Sequence, residues 1–221
     1  MIGVIEIKNN QGEKVIIATD PFDENCGLKI PKIEAQILLL ASGRNERVES
    51  KAILGVPFLI DEPGEYEYKG VFVKGISSAP VVSSVVVSIP NQNGKNSENI
   101  GLNTFYEIEA ERIKICYLGA LTQKGLDESQ IEEIGQVDIL IIPVGDGSLI
   151  DAKGAANIIS QIEPRMIIPM CYKIPNLKQE IDGVEKFLKI MGREDVVPQK
   201  KLKVVLKDLS NEENEIVILE P

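Results

Sequence analysis

Two stretches of this chain are apolar without alternation: residues 36–41 (Gln-Ile-Leu-Leu-Leu-Ala) and 138–143 (Asp-Ile-Leu-Ile-Ile-Pro). Runs of this kind are strands buried on both faces, so each needs a covering layer on either side. Shorter strands are predicted around them. Residues 3–8 and 14–19 flank the turn Asn9-Asn10-Gln11-Gly12 and read as a hairpin. Strands follow at 58–60, 66–68, 71–76 and 83–89, with 91–99 a polar surface loop. A second hairpin, 103–109 with 112–118, turns at Ala110-Glu111. The rhythm then changes to strand-helix alternation. A helix over 127–134 carries acids in its first turn and ends at Gly135. Asp151 caps a helix over 152–162, a strand occupies 166–170, and a helix over 183–191 stops at Gly192. Strands at 202–207 and 215–219 finish the chain. Many antiparallel strands followed by this alternation predict an α/β (α+β) body of two sheets sandwiched between helices. At 221 residues and with no linker, one domain spanning 1–221 is expected.

The chemistry is bounded by an absence, because the sequence contains no histidine. Ser-His-Asp and Cys-His nucleophile systems and His-ligated zinc all need an imidazole. A formal net charge of −10 repels phosphates, which argues against nucleic acid. No apolar run approaches ~18 residues and no basic-then-apolar leader opens the chain, so neither a membrane span nor a signal peptide is expected. Three cysteines, Cys26, Cys116 and Cys171, form no CxxC pair and read as thiols of a reducing cytoplasm.

Four local motifs each have two readings. Thr19-Asp20-Pro21-Phe22 sets an acid directly after a strand, where α/β folds place their sites, and equally spells an Asp-Pro turn. Residues 63–67 (Pro-Gly-Glu-Tyr-Glu) read as a turn into a strand. Gly145-Asp146-Gly147 offers backbone amides to an anion or simply joins a strand to a helix. Cys171, at a strand end, is a ligand, a nucleophile or an inert buried thiol.

Taken in order, these pieces resemble the metallo-β-lactamase fold superfamily, in particular its branch of Zn-dependent hydrolases. The residues that carry the likeness are Thr-Asp-Pro-Phe-Asp at 19–23, the buried strand at 36–41 and Pro-Gly-Glu-Tyr-Glu at 63–67. Further on come Ile-Cys-Tyr-Leu-Gly at 115–119, Val-Asp-Ile-Leu-Ile-Ile-Pro-Val-Gly at 137–145, Asp-Ala-Lys at 151–153 and Ile-Glu-Pro-Arg-Met-Ile-Ile-Pro-Met at 162–170. The resemblance implies a four-layer αββα sandwich with its site at one edge, between the sheets. It also implies where ligands would stand. The family's His-x-His-x-Asp-His reads Ser42-Gly43-Arg44-Asn45-Glu46-Arg47 here. Its His-Leu-Gly-Asp is Tyr117-Leu118-Gly119-Ala120, and its last histidine is Cys171. A Gly-His-Ser motif common near the family's start would fall at or before Met1, which leaves the natural start open.

The positions Asp20, Ser42, Arg44, Glu46, Arg47, Tyr117, Ala120 and Cys171 therefore form a degenerate site with no catalytic residue and no metal. Zinc hydrolysis needs three protein ligands and a water, and two arginines in that space repel a divalent cation. The expectation is a binding or scaffolding protein without a cofactor. Its partner would be a small molecule or a protein, a second copy included, with no nucleic acid and no membrane. The alternative is a hydrolase with a rearranged site that keeps zinc on Asp20, Glu46 and Cys171. Three structural expectations follow. Asp20, Glu46, Tyr117 and Cys171 converge at one edge. Cys171 faces a cleft while Cys116 points into the core. Arg44 or Arg47 supplies the missing positive charge to Asp20, unless 42–51 is only a solvated loop.

Overall fold

Each of the two non-alternating runs becomes an interior strand, and each lies in a different sheet. The computed structural model describes residues 3–9, 11–21, 26–29, 31–42, 52–78, 103–209 and 214–220. The chain opens with β1 (Gly3–Lys8) and β2 (Lys14–Thr19), then β3 (Ile33–Glu34), β4 (Ile37–Leu39), β5 (Ile53–Leu54) and β6 (Phe58–Ile60). The order β1-β2-β4-β6 makes the first sheet, while β3 and β5 pair as a parallel ribbon. The β1–β2 hairpin closes because the Asn9 side chain accepts from the amides of Gln11 and Glu13, at 3.0 and 2.8 Å.

The second sheet takes β7 (Gly64–Tyr68), β8 (Val71–Ser77), β9 (Thr104–Ala110), β10 (Ile113–Tyr117), β11 (Ile139–Pro143), β12 (Met166–Met170) and β13 (Glu215–Ile216). Its order is β13-β12-β11-β10-β9-β8-β7. The strands from β7 to β10 run antiparallel, and those from β10 to β13 run parallel. The parallel half needs crossovers, and helices supply them. Helix α1 (Glu128–Ile134) starts at a capping box of Asp127 and Gln130 and ends at Gly135. Helix α2 (Ala152–Ile162) starts where the Asp151 carboxylate accepts from the Gly154 amide, and α3 (Val184–Met191) stops at left-handed Gly192.

Period-two alternation sends the two faces of the wide sheet into different cores. Cys116, Leu140, Ile142 and Ile167 pack under the helices with Ile158, Ile159 and Phe187. Val73, Tyr106, Ile108 and Tyr117 face Val15, Ile17, Ile37, Leu39 and Ile60 of the first sheet. On the far side of the first sheet, Ala18, Leu38 and Leu40 are covered by Ile33, Ala35 and Ile53. The sandwich expected from the sequence is present. Among the described residues the fourth layer, over the narrower sheet, is the β3–β5 ribbon.

One predicted strand is corrected. Residues 202–207 join no ladder among the described residues, and their end is a short 3-10 turn, Leu206–Asp208. Their alternation is real but is used differently. Leu202, Val204 and Leu206 lie on Ile139, Met166 and Val217, so the segment covers a sheet face instead of extending an edge. The last strand is shorter than predicted, with Leu219 held by an isolated bridge to Gln199. The strand predicted at 83–89 and the loop at 91–99 lie outside the described residues.

The two sheets touch most closely at Gly119, which follows β10 with φ +56°. A Cβ there would sit 2.0 Å from that of Ala41. Gly119→Ala therefore combines a left-handed backbone with an overpacked contact, and should cost about 2–4 kcal/mol in urea unfolding. A loss under about 0.5 kcal/mol, the size of an ordinary surface change, would mean that the sheets do not meet there.

Candidate functional site

Strands β2, β4 and β6 are mutually parallel, and so are β10, β11 and β12. Their carboxyl ends share one edge of the sandwich, where open α/β sheets place ligands. Asp20 follows β2, Ala41 and Ser42 follow β4, Tyr117 ends β10, and Cys171 follows β12.

The Tyr117 hydroxyl crosses from one sheet to the other and donates to Asp20 Oδ2 at 2.6 Å. Asp20 Oδ1 accepts from the Ala41 amide at 2.9 Å, and the Asp20 amide donates to the Leu39 carbonyl at 3.0 Å. An O–H···O distance of 2.6 Å is that of a charge-assisted bond to an ionised acceptor. Burial pushes the Asp20 carboxyl above its ordinary value, against the pull of these two donors. Burial, reinforced by the charge of Asp20, holds the Tyr117 phenol far above its ordinary value, so it remains a neutral donor.

Two other predicted positions, Ser42 and Ala120, take no part in this contact. Ser42 is exposed just beyond the edge. The Ala120 amide is held by Asn103 Oδ1 at 2.8 Å, and Asn103 Nδ2 donates to the Leu118 carbonyl at 2.9 Å. This buried asparagine clamps the turn after β10. Nothing in the sequence singles it out, because it reads as the first residue of a strand. Tyr106 is a second unpredicted clamp, with its hydroxyl donating across the sheets to the carbonyls of Leu40 and Ile60. Arg44, Glu46 and Arg47 lie outside the described residues, as does any pairing they make with Asp20.

Cys171 belongs to the same edge, since the charge of Asp20 bears on its thiol and the thiol on Tyr117. The residue is half-buried, and burial raises its thiol above the ordinary range. Cys116 is 1% exposed and lies in the helix-side core. Among the described residues, Asp20 and Cys171 stand without a third possible metal ligand. Among the described residues no three or more Cys, Asp and Glu gather as an ion would need.

Beside Cys171 opens a cleft of about 460 Å³, lined by Leu28, Asp146, Gly147, Ser148, Leu149, Tyr172, Ile174, Leu177, Gln179, Glu180 and Ile181. A few polar groups among apolar walls is the usual make-up of a small-molecule pocket. Its outer wall is stiffened by Lys173, whose ammonium donates to the carbonyls of Leu177 and Gln179 at 2.8 and 2.7 Å. The Asp146 amide donates to the Ile150 carbonyl at 3.1 Å, so one amide of the suggested anion loop serves its own turn. Asp20, Asp146 and Cys171 have positive φ, at 36°, 63° and 54°, as do six other non-glycine residues among those described.

The family model described as "Beta-lactamase superfamily domain" matches residues 7–171. A protein of Archaeoglobus fulgidus named as a metal-dependent hydrolase is 21% identical over 199 residues, covering 81% of this chain and 85% of its own. A crystal structure from Thermotoga maritima, described as a candidate Zn-dependent hydrolase of the metallo-β-lactamase superfamily, superposes with a TM-score of 0.71 at 26% identity. It covers 98% of this chain and 95% of its own. A candidate metal-dependent hydrolase from Parabacteroides distasonis shares the fold with a TM-score of 0.57 at 12% identity, all of both chains being covered.

Two measurements check this geometry. Because the folded Asp20 value lies above the unfolded one, the folded state holds that proton more tightly. The resulting stability is full below the ordinary value of 3.8 and is lost as pH rises through the folded value. Wild type should therefore lose stability relative to Asp20→Asn as pH climbs from 3.8 towards neutrality in urea titrations. The opposite slope would reveal a cation on Asp20. A small thiol reagent should modify native Cys171 well before Cys116, and equal rates would contradict the assigned register.

Proposed function

This chain belongs to the beta-lactamase superfamily, and we propose that within it the protein binds a small organic molecule without metal-dependent hydrolysis. The observation that carries this reading is the Tyr117 hydroxyl on Asp20 at 2.6 Å. A catalytic zinc takes three protein ligands and lowers the pKa of a bound water to about 7. The described edge offers one carboxylate, already holding two protein donors, and one thiol kept protonated by burial. The sequence has no histidine to add, and the positions resembling the family's histidines are Ser42, Arg44, Arg47 and Cys171. This donor set does not fit the metal, so no step is derived through it.

In this reading the chain is one domain working in a reducing cytoplasm, in keeping with three free cysteines. The cleft beside Cys171 holds the ligand, with its apolar walls supplying affinity and Asp146, Ser148 and Gln179 orienting it.

Metal analysis tests the proposal. Protein purified without chelators should carry well below one zinc per chain, and neither EDTA nor added zinc should move its urea midpoint. Near-stoichiometric zinc, lost to EDTA with a drop in stability, would establish instead a hydrolase with a rearranged site on Asp20, Glu46 and Cys171. A bound small molecule should also slow the modification of Cys171 and leave Cys26 unaffected.

A further inference from the structure

Among the described residues, both sheets end in an edge strand on one side of the sandwich. There β6 ends the first sheet and β7 ends the second, joined by residues 61–63. Among the described residues, β8 is the one ladder partner of β7, so the outer amides and carbonyls of β7 are unpaired in any ladder. An edge of that kind accepts a further strand.

The side chains of β7 specify what that strand would be. Alternation places Tyr66 and Tyr68 on the face towards the inter-sheet core and Glu65 and Glu67 on the other. On the tyrosine side an aromatic ledge reaches solvent. Phe58, 40% exposed, stacks on Tyr68 at 5.9 Å and meets Tyr66 edge-on at 6.3 Å. Leu54 and Val56, 43% and 99% exposed, continue the apolar surface before it. On the glutamate side the carboxylates of Glu65 and Glu67 are both exposed.

We infer that the β7 edge docks an extended segment of another protein in which apolar residues alternate with lysine or arginine. Each added apolar side chain would lie over Phe58, Tyr66 or Tyr68, and each added cation beside Glu65 or Glu67. Charge complementarity selects this occupant over a second copy of the chain. Pairing β7 in register with itself sets glutamate against glutamate, in a protein whose net charge is already −10. The same acids that keep copies apart therefore recruit a basic strand.

The test uses the full chain and a fluorescein-labelled peptide of alternating lysine and valine, read by fluorescence anisotropy. Two control peptides keep its composition. One groups the lysines at one end, and the other is N-methylated at every second amide to break a ladder. The alternating peptide should bind, and each control should bind about tenfold more weakly or worse. Glu65→Lys should weaken binding by about tenfold or more, since it turns an attraction into a repulsion. Phe58→Ala should weaken it through the ledge. Glu67 is left intact because it also holds the Gly70 turn through its carboxylate. If Glu65→Lys fails to fold, Glu65→Gln and the N-methylated peptide decide the same question. No binding, equal binding of the grouped peptide, or tolerance of N-methylation would overturn the inference. So would sedimentation showing that copies of the chain associate through β7.

Discussion

A phenol from one sheet meets a carboxylate from the other where the sandwich would otherwise gape. Tyr117 and Asp20 are 97 residues apart, and their contact fixes β10 against β2 at the edge that holds the site. Neighbouring polar contacts close the same seam. Tyr106 reaches the carbonyls of Leu40 and Ile60, and the Thr104 amide donates to the Ala41 carbonyl at 2.7 Å. Buried polar groups must be paired, so each of these contacts depends on the two sheets keeping one separation and one register.

Under the proposed reading, that seam lets the family's fold persist with a different site chemistry. Metal centres gather carboxylates whose mutual repulsion the cation cancels. At the described edge a single carboxylate is met by a hydroxyl and an amide, which satisfy it without a cation. The bond from Tyr117 joins the two sheets at this edge, and in the proposed reading it takes the place of a metal there. The backbone around it turns with positive φ at Asp20, Asp146 and Cys171, and a cleft opens beside the last.

The sequence made much of the fold legible because its punctuation is local. Asp127 and Asp151 cap helices, Gly135 and Gly192 end them, and the Asn9 turn closes a hairpin, each as its residue type predicts. The ribbon strands β3 and β5 were not legible, since two residues apiece carry no period. Residues 202–207 misled for a physical reason, because alternation records that one side of an extended segment is buried and not that its backbone pairs. At the site, family order pointed to Asp20, Tyr117 and Cys171. The clamp at Asn103 and the cleft wall at 177–181 had no such signal. One is a single buried amide, and the other is a loop whose shape comes from carbonyls gathered by Lys173.

A double-mutant cycle measures directly whether Tyr117 serves Asp20 where a metal would be expected. Asp20→Ala, Tyr117→Phe and the double variant would be unfolded in urea at neutral pH, with EDTA and with zinc. A hydroxyl bonded to a buried carboxylate predicts a coupling energy of about 1.5–3 kcal/mol, unchanged by either addition. Additive losses, or a coupling that appears with zinc and vanishes with EDTA, would contradict it.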